Sequence, residues 1–148
     1  KVDSNLATII NILAEEDLDL KNTKINTTTF VIEDKINYND LNGVRELIND
    51  YKIFSVKLDQ KYTEFDREGI NRSTSILQII RRQYIKLRNE KKDSEEVFYG
   101  VVENIMKIIE ESSNYRVLPF EELEMCVDIL VVDAFMRCKI FENPEENK

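Results

Sequence analysis

An all-α bundle of four to five helices is the fold this sequence predicts, and three features point to it. Only three glycines and two prolines punctuate 148 residues, too few for the turns that join many short strands. Apolar residues recur by threes and fours over several long stretches, as one face of a helix requires. The stretch 119–141, PFEELEMCVDILVVDAFMRCKIF, is apolar nearly all round from Met125 onward, which suits a core, a membrane or a partner interface. It is too short to span a bilayer and is interrupted by Asp128, Asp133, Arg137 and Lys139, so a buried central helix is expected.

The chain opens with Asp3 or Ser4 capping a short helix whose apolar face is Leu6, Ile9, Ile10 and Leu13. A polar loop follows, and the β-branched and aromatic run TTTFVI favours a short extended segment near 28–32. One helical turn anchored by Ile36 and Tyr38 comes next. From Asp40, the residues Leu41, Val44, Ile48, Tyr51, Leu58, Tyr62 and Phe65 form a heptad-like seam with Ser55 in its gap. One very long helix over about 40–68 is the expectation, stopped by a left-handed turn at Gly69.

Asn71 or Ser73 can cap the following helix, which buries Ile76, Leu77, Ile80, Tyr84 and Leu87. Asp93 with Glu96 matches a reciprocal capping pattern and opens a third long helix carrying Val97, Phe98, Val101, Val102, Ile105, Ile108 and Ile109. The final helix, over about 119–141, starts at Pro119, with Glu121 and Glu122 where the helix dipole favours acids. Residues 1–148 read as one helical domain, large enough for its own core. With no initial methionine at Lys1, the chain is expected to be a fragment.

Composition bounds the chemistry. A formal net charge of −8 disfavours general binding to nucleic acid or an anionic membrane. The absence of histidine removes histidine triads, zinc-histidine sites and the Glu-x-x-His di-iron motif within this chain. Cys126 and Cys138, twelve apart on one predicted helix, lie roughly 18 Å apart along its axis, too far to bridge; two reduced, buried thiols in a cytoplasmic protein are expected. No glycine-rich phosphate loop, EF-hand spacing or Cys-x-x-Cys is present. No catalytic residue, cofactor site or metal site is assigned, and the expectation for this fragment is that it is not an enzyme.

Two features remain. Helical phasing at 100° per residue puts Glu121, Glu124, Asp128 and Lys139 on one wet stripe of the last helix. Asp133 and Arg137 fall away from that stripe, one turn apart, among apolar residues, where they can pair. Such a pair is either a structural element at the edge of the core or a partner interface, and Asp133 with Arg137 is the candidate interface. The second feature is RRQYIKLRNEKK at 81–92, six basic residues against Glu90 alone. Its candidate basic face is Arg81, Arg82, Lys86, Arg88 and Lys92. Tyr84 falls on the apolar side and is expected to point inward, so a solvated face balanced by acidic neighbours is the plainer reading, with a face for an acidic protein partner or for nucleic acid as the alternatives.

The strings VIEDKINYNDL at 31–41, INRSTSILQIIRRQYIKLR at 70–88 and LPFEELEMCVDILVVDAFMRCKIFENPEE at 118–146 can be weighed together. They resemble the C-terminal domain of one component of bacterial ABC-three-component systems, which act in defence against phages and other mobile elements. VVDAFMRCKIFENP is the most specific piece, and the resemblance covers about 6–144. It implies a cytoplasmic, helical interaction module that couples an effector domain, expected N-terminal to residue 1, to a small middle component and an ABC-type ATPase. No catalytic position carries over from it. A homodimer through the long helix is left open by the sequence, and no membrane partner is expected.

Overall fold

The computed structural model describes residues 3–16, 18, 30–90 and 93–144. Among these, seven α-helices follow one another: α1 (Asn5–Leu13), α2 (Phe30–Tyr38), α3 (Arg45–Tyr51), α4 (Ser55–Glu68), α5 (Arg72–Glu90), α6 (Ser94–Glu110) and α7 (Phe120–Met136). Short 3-10 turns at Asn42–Val44 and Lys52–Phe54 precede α3 and α4. The described residues contain no strand, as the all-α expectation requires.

Helix α7 is the centre of the bundle. Every residue from Cys126 to Phe135 is buried, and α1, α3, α4, α5, α6 and the Lys52–Phe54 turn all pack on it. Elsewhere the apolar faces read from periodicity are the ones that go inside. Leu6, Ile9, Ile10 and Leu13 of α1, Ile76, Ile80, Tyr84 and Leu87 of α5, and Val97, Phe98, Val101, Val102, Ile105 and Ile109 of α6 join one core, whereas Leu77 and Ile108, expected with them, are only partly buried at its edge. Removing such side chains from water is the main stabilising term, about 1.5–3 kcal/mol for each large one.

Local chemistry sets the helix starts. The Ser4 hydroxyl accepts from the Leu6 amide at 3.1 Å, and Asp93 caps α6 through the Glu95 amide at 2.9 Å. At α5 the cap comes from elsewhere: Asp66 of α4 accepts from the Ser73 amide at 2.8 Å and from its hydroxyl. Asn114 ties the α6–α7 connection to α1, accepting from the Ser4 amide at 2.9 Å and donating to Thr8 at 2.8 Å.

The structure corrects several expectations. The single helix over 40–68 is divided, because helical hydrogen bonding tightens into 3-10 turns at Asn42–Val44 and Lys52–Phe54. The second turn carries Tyr51 and Phe54 onto one side at a spacing of three, their rings 6.3 Å apart. The seam therefore resumes in α4 with a shifted phase. Gly69 does not take the left-handed conformation; it is extended (φ −167°), and Asn71 adopts positive φ (59°) instead. Of the extended segment near 28–32, residues 30–32 are the first turn of α2, and 28–29 lie outside the described residues. Tyr38 is half exposed, and Asn39 takes the buried place expected of it.

The last helix stops at Met136, not at 141. Cys138 takes positive φ (62°), and the amides of Cys138 and Lys139 return to the carbonyls of Phe135 and Ala134 at 3.2 and 3.0 Å. That pair of bonds is the Schellman ending, here made without glycine. It turns the chain back so that Ile140 and Phe141 re-enter the core. Phe141 sits among Tyr84, Phe98 and Phe135, with ring centroids 4.8, 6.3 and 6.1 Å away. Cys138 is thereby exposed, whereas Cys126 is buried and its thiol pushed up to about 12 by burial and by Glu122.

Candidate functional site

Asp133 is 1% exposed, and each of its carboxylate oxygens accepts a hydrogen bond. The Ser55 hydroxyl donates to Oδ1 at 2.7 Å and Arg137 Nε donates to Oδ2 at 2.6 Å. Ser55, the residue that fills the gap in the seam of 40–68, is thus the partner of the pair that is out of phase on α7. Arg137 reaches on to Asp59 of α4 at 2.9 Å and lies over the Tyr62 ring, 5.3 Å from its centroid. Burial pushes the Asp133 carboxyl up, and the hydrogen bonds of Ser55 and Arg137 oppose it. Burial also opposes the charge of Arg137, but Asp133 and Asp59 outweigh it and leave its pKa raised. The Tyr62 hydroxyl is buried and has no hydrogen-bond partner among the described residues, and burial followed by the Asp133 charge raises its pKa.

The turn after α7 is clasped by residues distant in sequence. Buried Lys35 of α2 donates to the Phe135 carbonyl at 2.6 Å, with its ammonium 4.4 Å from the centre of the Phe135 ring. A cation at this position complements the negative end of the helix. Asn39 donates to the Glu142 carbonyl at 2.9 Å and accepts from the Glu142 amide at 3.0 Å. Sequence reasoning missed Lys35 and Asn39 in this role, since a lysine within EDKINYN reads as solvated until a helix end is placed beside it.

The basic stretch is divided between two sides of α5. Arg81 donates to the Lys139 carbonyl at 2.6 Å, and Arg88 lies 3.9 Å from Glu142, so these two face the clasped turn. Arg82 and Lys86 are exposed, and Lys92 lies outside the described residues. Tyr84 points inward, as expected, and is 3% exposed.

The wet stripe on α7 is real only in its first turns. Glu121 and Glu124 are exposed, but Asp128 is buried, 7% exposed, which corrects the expectation that it faces water. The reason is tertiary: α3 and α6 both pack on α7. Asp128 lines a groove of about 430 Å³ between them. Leu47 of α3, Val102 and Met106 of α6, and the exposed rings of Tyr99 and Phe120 form its apolar surface. Glu103, Glu110 and Glu124 share the groove with one cation, Lys107. No described residue gives Asp128 a hydrogen bond or an ion pair. Burial, followed by the neighbouring Glu124 charge, raises the Asp128 carboxyl to about 7. Tyr51, at the end of α3, is also raised, by burial first and then by the Asp128 charge.

Among the described residues there is no group of three or more side chains placed to hold a metal ion, and no helix is long and apolar enough to cross a membrane. The fold and its features define a helical bundle domain with one wrapped central helix, a clasped C-terminal turn and an open groove. The chain belongs to the family described as C-terminal domain 10 of the ABC-three component (ABC-3C) systems, whose model matches residues 4–142. No curated protein and no solved structure matches it. Two of the strings that carry the resemblance, around 31–41 and 131–144, meet in the clasp through Lys35 and Asn39.

Proposed function

We propose that this domain is an assembly module that couples an effector to the small middle component and the ABC-type ATPase of its system. In this reading it works in the cytoplasm, in defence against phages and other mobile elements, and carries no catalytic group of its own. The observation that carries the reading is the open apolar groove beside the central helix. There Tyr99 and Phe120 remain 44% and 60% exposed, and an unfilled apolar concavity on a well-packed bundle suits a protein partner. A partner seated there would touch α3, α6 and α7 together, so its binding could bias the packing of the whole bundle.

Co-expression with the neighbouring ATPase and middle-component genes tests this. A tagged copy of the chain should carry both products through size-exclusion chromatography as one complex. Elution of the tagged chain alone, with both products soluble, removes the coupling role.

A further inference from the structure

We infer that the groove between α3, α6 and α7 seats an amphipathic helix of a partner protein whose apolar side chains pack on Tyr99, Met106 and Phe120 and whose basic side chain pairs with Asp128. This rests on the assembly reading and deepens it, by naming the surface and the chemistry of the partner.

Asp128 is the decisive residue. It is only 7% exposed and opens on the groove, and it takes no hydrogen bond or ion pair from the described residues. The carboxylates that share the groove cannot supply one. Glu124 lies one turn before it on α7, and Glu103 and Glu110 are acids on α6. Lys107 lines the same groove, and among the described residues no ion pair joins it to Asp128. A lysine or arginine arriving from outside would satisfy Asp128 and would be drawn by the surrounding acids.

The walls determine the rest of the ligand. Leu47, Val102 and Met106 give it an aliphatic surface, and Tyr99 and Phe120 stand exposed beside it. Walls from α3, α6 and α7 make this a helix-in-groove surface, in which apolar anchors at three- and four-residue spacing provide affinity. A wholly apolar helix would seal Asp128 away from water without a partner, so the carboxylate also selects against the wrong occupant.

Two short synthetic amphipathic helices test this on the chain as it stands. They differ at one position of the leucine face, which is lysine in one probe and glutamine in the other. The lysine probe should bind at least about tenfold more tightly by isothermal titration, and it should shift amide resonances of α3, α6 and the first half of α7. Asp128→Asn should abolish the preference for lysine. Phe120→Ser, at a position 60% exposed, should weaken both probes. Equal affinity for the two probes, a preference that survives Asp128→Asn, or shifts that map to the clasp or to Arg82 and Lys86 would each overturn the inference. So would sedimentation showing self-association that is lost with Phe120→Ser, because the groove would then belong to a second copy. Failure of co-elution with the ATPase bears on the coupling role alone, since neither probe experiment uses that partner.

Discussion

Two buried aspartates on one helix, five positions apart, have opposite surroundings. Asp133 accepts from Ser55 and Arg137, and Arg137 in turn pairs with Asp59 and lies over Tyr62. Asp128 is nearly as buried, yet accepts nothing from the described residues and lines an open groove. Burial by itself therefore does not separate structure from site; the completeness of the partner set does. A carboxylate whose acceptor positions are filled from within the fold holds α4 to α7. A carboxylate left without partners destabilises the fold, and a ligand can offset that cost.

The largest effect in this comparison should come from breaking the complete set. Arg137→Ala leaves Asp133 buried beside Ser55 alone, and should destabilise the chain by about 3–5 kcal/mol in urea unfolding. A double-mutant cycle with Asp133→Asn should recover a large part of that loss, because the two residues act as one unit. Additive losses would show that the pair is not coupled.

Asp128→Asn should do the reverse and stabilise, by on the order of 4 kcal/mol at about pH 8. The sign follows from the raised folded-state value of about 7 against an ordinary carboxyl near 3.8. Below about pH 4 both folded and unfolded chains hold the proton, and the residue costs nothing. Between the two values the unfolded chain releases the proton and the folded chain keeps it, so stability falls as pH rises. Above about 7 the full cost is present. Melting temperatures across this range should diverge between wild type and Asp128→Asn as pH increases, and parallel curves would refute the assignment.

Ser55→Ala removes one of the two donors to Asp133 and should cost about 1–2 kcal/mol. Smallest of all, Tyr62→Phe deletes a buried hydroxyl that has no partner among the described residues, and should be neutral or stabilising by up to about 1 kcal/mol in thermal unfolding. A clear loss of stability there would mean that the hydroxyl is satisfied and belongs to the Asp133 set.

Much of this architecture was legible in the sequence. The apolar faces of α1, α5 and α6, the Ser4 and Asp93 caps and the central place of α7 all follow from spacing and side-chain chemistry acting within a few residues. The displaced Asp133–Arg137 pair was also visible as a break in phase, and the gap at Ser55 marked its partner's position without revealing the connection. Neither Asp128 nor Lys35 was placed by the same reasoning. Periodicity put Asp128 among exposed acids, and Lys35 stood in a charged string.

What the sequence by itself determined is whatever depends on neighbours along the chain: which stretches are helical, which face of each is apolar, and which residues begin them. Only the tertiary structure decided how the seam at 40–68 divides, where α7 stops and turns Phe141 back, and which charges lie inside. Each of those outcomes depends on a group supplied from far away in sequence. Arg81 and Asn39 hold the turn after Met136, α3 and α6 enclose Asp128, and Ser55 meets Asp133 across 78 positions. Helical spacing reports direction around one axis, and the neighbour standing in that direction is set only when the helices pack.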